Sequence, residues 1–156
     1  MTKAKIDEYL DWHHGAIRMG AGGYFFRAYF SGLMSKDGTW ATQIAVDEAY
    51  HNMLGSMKKI EKIWLSDPEH PDKKFLFGDK PSIADLNLGC EMTNLMASDY
   101  DLSKEFPKIH KWMTVSMMSI PSFKKLHTQS LPRTKKFYEM IREKHKEDGV
   151  KLVARL

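Results

Sequence analysis

The sequence predicts an all-α fold, a bundle of about five to seven helices. Apolar residues recur at helical spacing through most of the chain. No window alternates apolar and polar residues with the period of two that is typical of strands. The 156 residues correspond to one domain, and 42% hydrophobic residues provide enough apolar side chains for a core. This composition excludes a disordered or fibrous chain.

The first helix is predicted over residues 3–19. Its apolar positions follow the i, i+3, i+4, i+7 spacing of one helix face: Ile6, Tyr9, Leu10, His13 and Ile17. Glycines within residues 20–23 lower the helix propensity, so a kink or break is expected there. An aromatic-rich stretch follows over residues 24–34, and residues 31–38 are predicted to form a loop.

The next helix is predicted to start near Thr39 and to be the most regular in the chain. Its apolar residues are spaced 4, 3, 4, 3, 4 and form a seam: Val46, Tyr50, Met53, Met57, Ile60 and Trp64. We interpret the seam as packing within the same domain, and a free-standing dimeric coiled coil is the alternative. Residues 66–74, with Pro68 and Pro71, are predicted to be a solvated loop.

A central helix is predicted to begin after Ser82. Ser82 and Asp85 have the spacing of a capping box, to which we assign a folding role. The helix is apolar around most of its circumference, so we expect protein on most sides and a buried Cys90. Pro107 and Pro121 each suit the first turn of a further helix, the second of them short, and a last helix is predicted over residues 133–146.

The apolar runs, the cysteine content and the charge of the sequence indicate where the protein is located and what it does not bind. No apolar run approaches the roughly 20 residues of a membrane span, and no secretory signal opens the sequence. One cysteine cannot form an intramolecular disulfide, so a cytoplasmic location is expected. The net charge is +6 from Lys124 onward and −2 before it. A near-neutral body with a basic tail does not favour nucleic-acid binding.

Two segments resemble one protein family. Residues 75–86 are similar to the motif that starts the central helix in the C-terminal domain of cytosolic glutathione transferases. Their sequence is Phe-Leu-Phe-Gly-Asp-Lys-Pro-Ser-Ile-Ala-Asp-Leu. Residues 5–13, with Arg18 after them, resemble the first helix of that domain in the theta class. The resemblance implies a glutathione-transferase C-terminal-like bundle over residues 1–127, with residues 128–156 as a basic helical extension of the same domain.

The resemblance also implies a function. In this family the glutathione site lies on an N-terminal thioredoxin-like domain, which we expect to be absent here because none precedes Met1. The chain would then be the substrate-binding half of a theta-like glutathione transferase, inactive alone and without catalytic residues. Combined with a thioredoxin-like domain, it would conjugate glutathione, a cosubstrate and not a covalently bound cofactor, to small hydrophobic electrophiles, with a possible homodimer.

Four residues are candidates for substrate binding. Theta-class proteins place an arginine pointing into the active-site cleft at the position of Arg18, and Asp11, His14 and Arg18 form a polar stripe on the predicted helix. A guanidinium suits a carboxylate or sulfonate. The alternative is a solvated helix side or a structural pair of Asp11 with Arg18. Phe26 falls where the theta class has an aromatic residue of its hydrophobic site, and ordinary core packing is its alternative.

No metal site is predicted. Glu48 and His51 have the Glu-x-x-His spacing of di-iron bundles, but a second such pair is missing. A second function stays open: similar helical domains occur as non-catalytic protein interaction modules in translation factors and tRNA synthetases. A bound protein partner, with no effect of replacing Arg18, would favour this reading.

Overall fold

The computed structural model describes residues 2–98 and 100–150. This part of the chain contains no β-strand, and its helices form six segments in sequence, which confirms the predicted all-α bundle. It also contains no helix that is both long and apolar enough to span a membrane.

The first segment is one continuous helical rod, termed rod 1. It contains α1 (Thr2–Gly15), a π-helical stretch (Arg18–Gly22), α2 (Gly23–Phe25), a second π-helical stretch (Phe26–Phe30) and α3 (Ser31–Met34). The predicted break at the glycines is thus a change of hydrogen-bond pattern within a rod that continues. The loop predicted from Ser31 was placed too early, because Ser31 remains helical and its Oγ donates to the carbonyl of Arg27, 3.0 Å away.

The second segment, rod 2, contains α4 (Gln43–Lys59) and a π-helical stretch (Ile60–Trp64). It starts later than predicted, because the Thr42 side chain caps α4 by accepting from Ala45 N. The predicted seam faces the core of the same chain: Val46, Met53, Met57 and Ile60 are buried. Rod 1 crosses rod 2 closely at Gly20, where an ideal Cβ would lie 3.0 Å from Met53 Cα.

The central helix is α5 (Ile83–Ala97), and its predicted capping box is present. It packs against α1 on one side and α8 on the other, with Leu88, Met92 and Leu95 fully buried. One prediction was wrong: Ile83 is 53% exposed, Leu86 is 39% exposed and Cys90 is also exposed. The physical reason is that no described element covers this side of α5.

Two short helical segments follow. They are α6 (Leu102–Glu105), and α7 (Pro107–Lys111) extended by π-helical (Trp112–Ser116) and 3-10 (Met117–Ser119) turns. The start of α7 is capped from rod 2, since the Glu61 carboxylate accepts from the backbone N–H groups of Lys108 and Ile109 at 2.8 and 2.9 Å. This contact joins two segments that are distant in sequence.

The last segment, α8 (Pro121–Glu147), is a single helix of 27 residues. The separate short helix at Pro121 and last helix over residues 133–146 were therefore wrong predictions. Pro132 lies inside α8, where a proline removes one backbone hydrogen bond at about 3 kcal/mol. Both halves are held by packing that offsets this: Phe123 lies on α5 at Gly89, and Tyr138 contacts Tyr29 of rod 1 with ring centroids 4.7 Å apart.

Candidate functional site

An exposed apolar stripe runs along α5 between two neighbouring helices. It consists of Ile83, Leu86 and Cys90, spaced i, i+3, i+7 on one helix face. On the α8 side, the Thr93 hydroxyl lies 3.0 Å from His127 Nδ1. On the rod 1 side, Glu91 reaches Arg18. We use the name α5 groove for this exposed surface of α5, which has one polar contact on the α8 side and one on the rod 1 side.

Arg18 stands at the rim of the α5 groove and is available to a ligand. Its side chain is 63% exposed, and its Nε lies 4.0 Å from Oε1 of Glu91, whose side chain is only 16% exposed. A distance of 4.0 Å is at the limit of an ion pair, and the largely solvated guanidinium keeps donors free for another anion. The sequence-predicted Arg18 is therefore on the exposed side of its helix, next to the groove.

Glu91 is a further candidate residue of this surface, and the sequence analysis did not single it out. Burial raises the pKa of the Glu91 carboxyl, and the Arg18 guanidinium acts in the opposite direction without cancelling the effect. The available signal was a second acidic residue in a helix that is predicted to be largely buried, because a buried carboxylate needs hydrogen-bond donors or a cation beside it. The contact with Arg18 spans 73 residues of sequence, so spacing alone did not reveal it.

The other members of the predicted polar stripe have a different environment. Asp11 and His14 are exposed, and among the described residues neither forms an ion pair with Arg18 or with any other side chain. The alternative of a structural Asp11–Arg18 pair is thus absent from the described contacts. The neighbouring His13 is buried, with Nδ1 3.2 Å from the Tyr9 hydroxyl, and burial lowers its pKa to about 4.

Phe26 belongs to a second exposed surface, on the C-terminal half of rod 1. Its side chain is 49% exposed, so it is not an ordinary core residue. One turn later, Phe30 packs against Phe137 of α8 with ring centroids 5.5 Å apart. Leu33 and Phe137 are 47% and 40% exposed. We call Phe26, Phe30, Leu33 and Phe137 the aromatic wall, a surface suited to apolar ligands.

Metal ligation has no support among the described side chains. They contain no group of three or more His, Cys, Asp or Glu residues with the geometry to hold an ion. Glu48 and His51 are both exposed on α4, and the His51 ring is engaged with the Asp47 carbonyl at 2.7 Å.

Comparison with known proteins gives consistent matches. The family model described as glutathione S-transferase, C-terminal domain, matches residues 41–121. Glutathione S-transferase T1 of Arabidopsis thaliana is 31% identical over 147 residues, which cover 90% of this chain and 57% of that protein. Glutathione S-transferase T2 of the same plant is 32% identical over 147 residues, which cover 90% of this chain and 24% of that protein.

More distant matches agree with these. Glutathione S-transferase theta-1 of Gallus gallus is 27% identical over 110 residues, covering 70% of this chain and 40% of that protein. The structure of a delta-class glutathione transferase of Nilaparvata lugens aligns with a TM-score of 0.66 over 90% of this chain and 58% of that chain. At 16% sequence identity this match shows the fold alone. The chain spans between about a quarter and slightly more than half of these relatives.

Proposed function

This chain belongs to the glutathione S-transferase family through its C-terminal domain, and we propose that it is the electrophile-binding half of a theta-like glutathione transferase. The observation that carries the proposal is Arg18, an exposed cation at the rim of the exposed α5 groove. An exposed cation beside an uncovered apolar surface suits a site that a second domain and an anionic ligand complete together.

The α5 groove is the surface on which we place the thioredoxin-like domain. Ile83 and Leu86 lie exposed one turn apart on the central helix, where a domain packed on this face would bury both. A thioredoxin-like domain packed here would bring the glutathione site next to Arg18. Its absence would leave the chain without the group that stabilises the glutathione thiolate, which is the reactive species.

In this proposal Arg18 and the aromatic wall, which begins eight residues further along rod 1, act on different bound groups. Arg18 binds an anionic group of the substrate or of glutathione, because its fork of N–H donors matches a carboxylate or sulfonate. The aromatic wall holds the apolar body of a small electrophile. The thiolate sulfur of glutathione attacks the electrophilic carbon, a carbon–sulfur bond forms, and the leaving group departs with its electron pair. His14 and Asp11 line the approach to Arg18.

The test joins this chain to a thioredoxin-like domain taken from Arabidopsis glutathione S-transferase T1, as a fusion and as two separate chains. We expect conjugation of a hydrophobic electrophile in the fusion and none by this chain alone. Arg18→Ala should reduce the catalytic efficiency about tenfold or more through loss of a charge-assisted contact. Arg133→Ala, an exposed arginine on α8, is the matched control and should change it less than twofold. An inactive fusion, or equal effects of both substitutions, would reject the proposal.

The same exposed surfaces favour a second candidate, a non-catalytic interaction module. An uncovered α5 groove can also bind a protein partner. In that case replacing Leu86 with a charged residue should abolish a stable complex, whereas replacing Arg18 should not. A homodimer and a cytoplasmic location are further parts of the proposal, and sedimentation of the isolated chain tests the first of them.

A further inference from the structure

We propose that the chain has a second binding site, for organic cations with an apolar body, in a cavity remote from Arg18. The cavity has a volume of about 840 Å³ and opens between the start of α1, the end of rod 2 and the loop that precedes α5. This volume lies within the range of ligand pockets, roughly 300–1,000 Å³. We call it the loop pocket.

The floor of the loop pocket is apolar and partly aromatic. Half-buried Trp64 and Phe77 line it with ring centroids 5.8 Å apart, and Ile63, which is 58% exposed, lies beside them. Trp64 packs edge-on against the fully buried Tyr9 at 5.2 Å, so its ring is held in place before any ligand arrives. A fixed aromatic surface attracts cations as well as apolar groups.

The rim of the loop pocket is negatively charged. Four exposed carboxylates line it, those of Glu8, Glu69, Asp72 and Asp79. Among the described residues none of the four has an ion-pair partner. Of the two lysines that line the pocket, Lys73 is engaged with Asp67 at 3.5 Å, which leaves the Lys5 ammonium as the positive charge against four carboxylates.

The aromatic floor and the negatively charged rim together determine which class of ligand the loop pocket would bind. The carboxylates favour a protonated or quaternary amine and repel an anion, because a group of like charges focuses the field inside a concave site. The aromatic floor favours an apolar body attached to that amine.

This site is separate from the proposed conjugation site. Glu8 and Arg18 are ten residues apart in rod 1, about 15 Å along the axis at 1.5 Å per residue. Arg18 selects anions, whereas the loop pocket selects cations. A test of cation binding at the loop pocket is therefore independent of whether the chain takes part in glutathione conjugation.

The test uses three probes that share one body and differ in charge: 4-phenylbutylamine, 4-phenylbutanol and 4-phenylbutyrate. Each is titrated into the labelled 156-residue protein at pH 7.5, and binding is followed at the Trp64 indole N–H and the Gly78 amide by NMR. We expect saturable shifts at these signals, with the amine binding at least tenfold tighter than the alcohol and the butyrate weakest. An amine that binds no tighter than the alcohol, or that shifts only signals around Arg18, overturns the proposal.

Charge-neutralising variants identify the rim as the cause. Glu8→Gln, Glu69→Gln, Asp72→Asn and Asp79→Asn alter exposed side chains, and together they should weaken the amine about tenfold and leave the alcohol unchanged. Glu48→Gln with Glu139→Gln removes exposed carboxylates on α4 and α8 instead and should change amine binding less than twofold. An equal loss in both variants would mean a general charge effect and would reject the site.

Discussion

The indole Nε1–H of Trp112 donates to Oδ1 of the fully buried Asp85, 3.3 Å away. The same carboxylate also accepts from Leu76 N at 2.9 Å, and from the backbone N–H and hydroxyl of Ser82 at 2.8 and 2.7 Å. One side chain therefore caps α5, fixes the preceding loop and anchors the segment that follows α7. Four donors thus satisfy the hydrogen-bonding capacity of this buried carboxyl group, as burial of a polar group requires.

Replacing Asp85 should destabilise the whole domain. Asp85→Ala removes the cap, worth about 1–2 kcal/mol, and leaves the buried donors of Leu76 and Trp112 without an acceptor, so we expect a total loss of about 3 kcal/mol or more. Urea unfolding measures it. Asp79→Asn, an exposed change in the same loop, should stay within about 0.5 kcal/mol. Equal stability of the two variants would show that the buried network is dispensable.

Two neighbouring glycines of rod 1 should respond to alanine in opposite directions. A Cβ at Gly20 would lie 3.0 Å from both Cα and N of Met53, so Gly20→Ala forces rods 1 and 2 apart and should cost about 1–3 kcal/mol. A Cβ at Gly22 meets nothing within 4 Å, so Gly22→Ala should add up to about 1 kcal/mol through helix propensity. Thermal unfolding of both variants gives the sign. A stabilised Gly20→Ala variant would contradict the close crossing.

The buried His13 should make the domain less stable in acid. Burial lowers the pKa of His13 from 6.5 to about 4, so the unfolded chain takes up the proton first, and stability falls as pH falls from 6.5 toward 4. His13→Gln cannot titrate and can still bond to the Tyr9 hydroxyl, so it should lose less stability over this interval. Urea midpoints between pH 4.5 and 7.5 measure the slope. His14→Gln, its exposed neighbour, should follow the wild type; a parallel His13→Gln curve would contradict the assignment.

Local patterns accounted for much of the fold. The Ser82–Asp85 capping box and the seam from Val46 to Trp64 were predicted correctly because each depends on residues within a few turns of one helix. The resemblance of residues 75–86 to the family motif was similarly local, and the family match over residues 41–121 supports it. Short-range spacing thus predicted the capping box and the seam, and a local motif that resembles the family's indicated the family.

Long-range packing explains what the sequence did not predict. The continuity of α8 through Pro132 depends on the contact of Tyr138 with Tyr29, more than a hundred residues earlier. Whether Cys90 is exposed depends on which other helices cover α5. The spacing of residues within α5 does not contain that information. Of the candidate site, Arg18 was proposed from the resemblance to the theta class and stays a prediction, whereas its contact with Glu91 could be found only from the fold.

Glu91, on the rod 1 side of the α5 groove, should make the stability of the domain depend on pH. Burial raises the pKa of its carboxyl above 4.5, so the folded chain holds the proton more strongly than the unfolded chain does. The stability contributed by Glu91 therefore falls as pH rises through the carboxyl range. Glu91→Gln does not titrate, and its stability relative to the wild type should increase from pH 4 to pH 7. Urea midpoints of the two proteins measure this, with the exposed Glu48→Gln as a control that should not diverge.

The same substitution should change the behaviour of Arg18. Glu91 is the competing anion 4.0 Å from the guanidinium, so Glu91→Gln should strengthen binding of a sulfonate or carboxylate ligand about two- to fivefold at pH 7.5. Arg18→Ala combined with Glu91→Gln should abolish the gain, because the gain acts through the arginine. NMR titration with a hydrophobic glutathione conjugate measures both. Weaker binding by Glu91→Gln would instead mean that Glu91 holds Arg18 in its binding position, so that the carboxylate orients the guanidinium more than it competes for it.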